Sequence, residues 1–283
     1  MNGAARLLGN IVRMMVLLVM YPFAKLFRRG PIPILAYHFV HDNLMCPYSL
    51  SVARFRRQLG HLRSKGYESI TVHDLVSYVQ GKSKRLPPKA VVLSFDDGYA
   101  DFCSQALPIL RQHGFRAVLS VVGDFCEKGT TDWVNNGSPV RALSWEEVKG
   151  VSSEGIEIAS HSMSHAELTS IPLEQANWEI GKSKKEIEAV LNGQVDLFCY
   201  PHGACNDKIV DLVKRNGYKA AMTTAPGLVR RGDDIYRLKR IPINGQLSLM
   251  GFRAALTPAV EWYCAILWGK IGRVFGFSER QIF

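Results

Sequence analysis

Between residues 34 and 243, short β-rich runs alternate with helical patterns at least six times, and this alternation restricts the fold more than any other feature. The runs are Ile34–Tyr37, Ala90–Phe95, Ala117–Val122, Ile156–Ser160, Val195–Tyr200, Tyr218–Thr223 and Tyr236–Ile243. Strands separated by helices predict a parallel sheet, open or closed. Such an array carries its chemistry at the carboxyl ends of its strands. Those ends hold His38, Asp96-Asp97, His161 and Tyr200-Pro201-His202-Gly203, so independent polar groups converge on one face.

Between the runs, Ser51 starts a helical pattern over 51–65, and Ser144 to Glu147 reads as a capping box. Further helices are expected after Gly98 to about His113, over His73–Val79, over 172–191 and over 206–216. Ser69 to Val72 is strand-like, and 124–141 reads as a long polar loop containing Trp133.

A chain of 283 residues is long enough for one large α/β domain. With 47% hydrophobic and 21% charged residues it is globular, not disordered. The six cysteines form no CxxC pair, and a domain of this size has no need of disulfides.

The net charge is +10, and its distribution matters more than its size. Residues 1–30 contain Arg6, Arg13, Lys25, Arg28 and Arg29 and no acidic residue. No nucleic-acid recognition motif accompanies this charge. Basic residues beside an apolar run suit an anionic membrane surface, so a membrane-lipid partner and a place at a bacterial inner membrane are expected. The charge-free run Met14–Ala24 falls short of the roughly 20 residues of a spanning helix. A short or snorkelling anchor, an in-plane helix and a cleaved signal all remain open. Basic residues flank both ends, so the side of the membrane stays open too. The expected organisation is a basic apolar anchor over 1–30, a catalytic domain over 31–255 and an amphipathic helix over 256–283. That last helix either packs on the domain or lies at the membrane interface with Trp262 and Trp268.

His161-Ser162-Met163-Ser164-His165 can bring two imidazoles to one side of a helix or tight turn. Asp96-Asp97 places two like charges at the end of an apolar strand, an expensive arrangement unless something compensates. One reading is a turn with a capping Asp. The other divides labour between a metal ligand and a base. Together Asp97, His161 and His165 form a two-His, one-carboxylate set with room for water and a carbonyl, suited to Zn²⁺ and also to Co²⁺, Fe²⁺ or Mn²⁺.

Three motifs in order, Ser94-Phe95-Asp96-Asp97-Gly98, Ser160-His161-Ser162-Met163-Ser164-His165 and Tyr200-Pro201-His202-Gly203, resemble the polysaccharide deacetylases (carbohydrate esterase family 4, the NodB homology domain). The resemblance covers about residues 31–245. Ala36-Tyr37-His38-Phe39-Val40 resembles the poly-β-1,6-N-acetylglucosamine deacetylase branch more narrowly. It implies a distorted (β/α)7 barrel and hydrolysis of an N-acetylated glycan. It also implies Asp96 as general base, Asp97, His161 and His165 as metal ligands, and a backbone N–H near His202 for the oxyanion. Tyr200, Pro201 and, in the long loop, Trp133 are the substrate-binding candidates.

Two positions depart from the family pattern. Cys199 stands where many members have the Arg that orients the base, and Arg240 is the candidate to replace it. Met250 follows Leu247-Ser248-Leu249 where many members have an acid His, which leaves His38 as the candidate acid. These departures keep open a catalytically silent glycan-binding module, and a change of substrate within the family, to a non-carbohydrate amide, is a further reading.

Overall fold

The computed structural model describes residues 31–261, apart from 44–47, 83–84, 136–137, 246 and 259. The anchor expected over 1–30 and nearly all of the helix expected over 256–283 lie outside the described residues. Among the described residues no helix is long and apolar enough to cross a membrane.

Seven parallel strands close into a barrel: β1 (Ile34–Tyr37), β2 (Ala90–Phe95), β3 (Val118–Val121), β4 (Glu157–Ser160), β5 (Leu197–Cys199), β6 (Ala220–Pro226) and β7 (Leu238–Pro242). Neighbours follow chain order, and β1 closes the ring by pairing with both β7 and β2. The ring is irregular. β4 meets β5 at the single registered pair Ser160↔Phe198, and β6 slips against β7 between Met222 and Pro226. Beneath the start of β1, Ile32 and Val229 exchange two backbone hydrogen bonds of 2.8 Å.

The two-residue period of the strands sorts their side chains. Ile34, Val92, Ala159, Leu197, Met222 and Leu238 share one apolar cluster and fill the bore. Leu35, Leu93, Leu119, Ile158, Phe198 and Ile241 belong to a second, larger cluster beneath the outer helices.

Eight α-helices surround the ring among the described residues: α1 (Val52–Ser64), α2 (Val72–Val79), α3 (Leu107–His113), α4 (Gly123–Lys128), α5 (Trp145–Ser153), α6 (Leu173–Leu191), α7 (Asp207–Arg215) and α8 (Leu249–Ala255). The caps expected at Ser51 and Ser144 are present, the second as a full capping box with Glu147. Thr71 and Asp74 form another box that starts α2 at Val72. Competition from that cap is why the strand expected over 69–72 shrinks to Glu68–Ser69, which pairs with the first residues of β2.

The expected loop over 124–141 is a correction. It contains α4 and an antiparallel pair, Thr130–Asn135 with Ser138–Arg141. Helix α8 was also not expected; Ser248 caps it.

Ile70, Val72, Leu75 and Val79 join the bore cluster, so α2 forms the floor of the barrel. His73 fastens this floor. Its Nδ1 lies 2.5 Å from Glu157 Oε1 and its Nε2 lies 3.4 Å from Asp196 Oδ2, at the starts of β4 and β5. The bond to Glu157, helped by Asp196, outweighs partial burial and raises the imidazole above its ordinary value. Its stabilising effect is therefore complete below about pH 6.5 and is lost as pH climbs through the raised value. The ring is half exposed, so the effect is modest. The gap in melting temperature between the parent and His73→Gln should narrow as pH is raised from about 6 to about 9. A gap independent of pH would show that the ring acts by packing alone.

Candidate active site

The carboxyl ends of the strands bring the sequence-derived polar residues together. Asp96 and Asp97 follow β2, where Asp96 N–H donates to Tyr37 O and the chain turns at once. Asp97 and Gly98 both have φ of 71°. The left-handed turn points two adjacent carboxylates in different directions. Gly98 is required there, since a Cβ would also meet Val121 Cγ1 at 3.3 Å.

His161 follows β4, and its Nδ1–H donates to Cys199 O at 2.7 Å. That bond fixes the tautomer and leaves Nε2 as a bare acceptor facing the site. His165 returns after a tight turn, not a helix, in which Ser162 has φ of 65° and His165 of 62°. Both Nε2 atoms lie 3.3 Å from Asp97 Oδ1. Neither approach has hydrogen-bond geometry, so Asp97 Oδ1 is buried without a hydrogen-bond partner. Three ligand atoms thus face one point, a geometry that fits a divalent cation. Burial alone would raise the Asp97 carboxyl; positive charge on the two imidazoles, when they are protonated, outweighs it and holds Asp97 ionised, well below the usual range, and a cation between them would act in the same sense.

Asp96 is held differently. Arg240 Nη1 lies 2.8 Å from its Oδ1 and Nη2 lies 2.7 Å from its Oδ2. Arg240 also donates from Nε to Thr223 O and from Nη1 to Ser94 Oγ, so its guanidinium crowns the bore with its partners in place. Arg240 and Asp96 are only 1% and 3% exposed, which makes this a fully desolvated pair. Burial pushes the Asp96 carboxyl up, but Arg240, with His161 behind it, holds it below the usual range. Cys199 Sγ sits 3.6 Å from Asp96 Oδ1. Asp96, His161 and Cys199 also converge. A cation among those three is disfavoured, because Arg240 already engages both Asp96 oxygens with positive charge.

His38 ends β1 with its Nδ1 buried and without a hydrogen-bond partner. Burial lowers its imidazole below the ordinary value, against the opposing pull of Asp97 and Asp96. His202 adopts φ of 56° in the single turn Pro201–Gly203, and its ring centroid lies 4.7 Å from that of His165. Gly203 has no room for a side chain: a Cβ would lie 2.0 Å from Thr224 Oγ1. This close approach holds the His202 backbone at the mouth.

Two candidates fall elsewhere. Tyr200 is fully buried, packs edge-on against Phe198 and donates its hydroxyl to Tyr236 O, so its ring belongs to the outer core and not to the mouth. Trp133 is on the strand Thr130–Asn135, and its side chain lies outside the described residues. Sequence reasoning passed over Glu179. It is a carboxylate within the buried stripe Ala176, Ile180, Ser183 and Ile187 of α6, and a charge at such a position was the available signal.

A family model for polysaccharide deacetylases matches residues 83–221. YxkH of Bacillus subtilis (strain 168), provisionally named a polysaccharide deacetylase, is 28% identical over 232 residues, covering 81% of this chain and 77% of that protein. The poly-β-1,6-N-acetyl-D-glucosamine N-deacetylase of Escherichia coli (strain K12) is 27% identical over 261 residues, covering 80% of this chain. The chain spans only 38% of that enzyme's length. In fold, the chain is similar to the Streptococcus pyogenes deacetylase PplD solved with acetate, with a TM-score of 0.71, 24% identity and coverage of 81% and 100%. It is also similar to IcaB from Ammonifex degensii, with a TM-score of 0.69, 20% identity and coverage of 81% and 98%. The chain is similar to the polysaccharide deacetylases in sequence and fold, and these relatives support a hydrolase of that kind; deacetylases of that family depend on a metal.

Proposed function

We propose that the chain removes N-acetyl groups from an N-acetylated amino sugar in a polysaccharide or lipid-linked glycan. The observation that carries this reading is the buried, unpartnered Asp97 Oδ1 flanked at 3.3 Å by His161 Nε2 and His165 Nε2, beside a second carboxylate already neutralised by Arg240. The E. coli relative, named a poly-β-1,6-N-acetyl-D-glucosamine N-deacetylase, supplies the substrate class. The basic apolar segment 1–30 supports placement at a bacterial inner membrane.

Asp97, His161 and His165 would hold the cation, with Zn²⁺ first and Co²⁺, Fe²⁺ or Mn²⁺ suited to the same donors. When bound, that cation polarises the acetamide carbonyl and acidifies a neighbouring water. Asp96 accepts the proton of the attacking water, and the paired guanidinium of Arg240 keeps the carboxylate ionised and aimed. The backbone N–H of His202 donates to the developing oxyanion. His38 gives a proton to the departing amine, so the products are acetate and a free amino sugar. A neutral His38, as its lowered pKa implies, must first receive the proton that Asp96 took from water, a transfer that also returns Asp96 to its ionised form.

Acetate release from a panel of N-acetylated glycans tests the reading. Release should stop on chelation and return on adding Zn²⁺ or Co²⁺. His38→Ala should slow glycan deacetylation by roughly 10²-fold. It should slow an aryl acetate far less, because a phenolate departs without a proton. A chain that binds the glycans and releases no acetate with either metal would be a binding module instead. Equal slowing on both substrates would remove His38 from the acid role.

A further inference from the structure

The turn that carries His161 and His165 has one internal bond of its own, from His165 N–H to Ser162 Oγ at 3.0 Å. Two of its residues have positive φ, and the N–H groups of Met163 and Ser164 turn to a side chain for their acceptor. Glu179 meets them from α6. One oxygen, Oε2, accepts Met163 N–H at 2.9 Å and Ser164 N–H at 2.8 Å, and the other, Oε1, accepts Ser164 O–H at 2.5 Å. Glu179 is 2% exposed, so this is a desolvated carboxylate that accepts three hydrogen bonds from the segment between the two histidines. The opposite side of the turn is held by backbone alone: Gly123 N–H donates to Ser162 O and Asp124 N–H to Met163 O.

Burying a carboxylate is expensive unless donors compensate it, and a plain loop latch is available from neutral side chains at lower cost. What a carboxylate adds is a set of short, charge-assisted bonds that converge on consecutive peptide N–H groups and define one backbone geometry. That geometry decides where His165 Nε2 lies relative to His161 Nε2, and both must reach one point beside Asp97.

We propose that Glu179 is a positioning residue for the His161–His165 turn, which it locks in the shape that presents both imidazoles to a single cation. The proposal rests on Asp97, His161 and His165 being the cation site. Outer partners of this kind typically change metal affinity by about 10–100-fold when removed.

The test titrates Co²⁺ into the metal-free full chain, reading the visible d–d spectrum and affinity, with the melting temperature of the metal-free form measured in parallel. Glu179→Ala is expected to weaken Co²⁺ by about 10–100-fold and to alter the spectrum. Ser164→Ala, which removes one of the three bonds, should fall between that variant and the parent. Glu179→Gln keeps the shape but loses the charge and one of the two acceptor oxygens, so it should fall between Glu179→Ala and the parent. His165→Ala is the control for the site itself. If His165→Ala binds Co²⁺ as the parent does, the site assignment fails. If His165→Ala loses the metal while Glu179→Ala and Ser164→Ala keep parental affinity and spectrum, the site stands and the positioning role is overturned, whatever the change in melting temperature. Should Glu179→Ala fail to fold, Ser164→Ala and Glu179→Gln decide: parental affinity and spectrum in both overturn the role.

Discussion

Asp96→Asn is expected to abolish deacetylation while leaving the cation site filled. The amide keeps the size of the side chain and one oxygen for Arg240, but it cannot take a proton from water. A loss of about 10²–10⁴-fold in turnover is expected for a positioned base. Asp97→Asn should behave differently, because it weakens an anionic ligand at the point shared with His161 and His165. Metal content should fall first and activity with it, and excess Zn²⁺ should restore part of the rate. The left-handed turn at Asp97 and Gly98 is what allows adjacent residues to have separate effects. Zinc content and acetate release, measured on both variants, decide the point. Equal metal loss in the two would refute the division of roles between the neighbours.

The second large effect belongs to Arg240. Arg240→Met removes one half of a desolvated ion pair and leaves the buried Asp96 carboxyl without its cation, to stay charged at a cost or to take up a proton. Breaking such a pair typically costs about 3–5 kcal/mol. In a domain of this size that corresponds to a drop of about 6–20 °C in melting temperature. With the guanidinium gone, burial raises the Asp96 carboxyl, so the penalty should shrink as pH falls and the group is neutralised. Turnover at neutral pH should fall as well, through loss of the ionised base. Asp96→Asn combined with Arg240→Met should recover much of the lost stability, which is the mark of a coupled pair. A single Arg240→Met variant melting within about 2 °C of the parent would show that the pair contributes little.

Much of this site was legible as runs of apolar residues ending in polar ones. Strand ends could be read at His38, Asp96, His161 and Pro201 because buried strands need unbroken apolar sequence and catalytic groups interrupt it. The pairing of Arg240 with Asp96 is separated by 144 positions, and only the missing Arg at Cys199 hinted at it. Tyr200 misled because it sits beside the Pro-His-Gly turn. Its parity with Phe198 places it on the outer face, and Cys199 takes the inner one. In 124–141, Gly, Asn and Pro outvoted Thr130, Thr131, Trp133 and Val134, although an Asn136-Gly137 pair between β-branched and aromatic residues is a strong hairpin signal. Glu179 escaped because three of its bonds go to a turn 15 and 16 positions away, and helical periodicity says nothing about partners at that range.

Because Ile32 is stitched to Val229 below β1, while His38 ends the same strand at the mouth, the polypeptide enters and the substrate arrives at opposite poles. The floor built by α2 separates the two. Residue 31 therefore lies at the pole from which the active site faces away, and a substrate of any length has to present its acetamido group from the other.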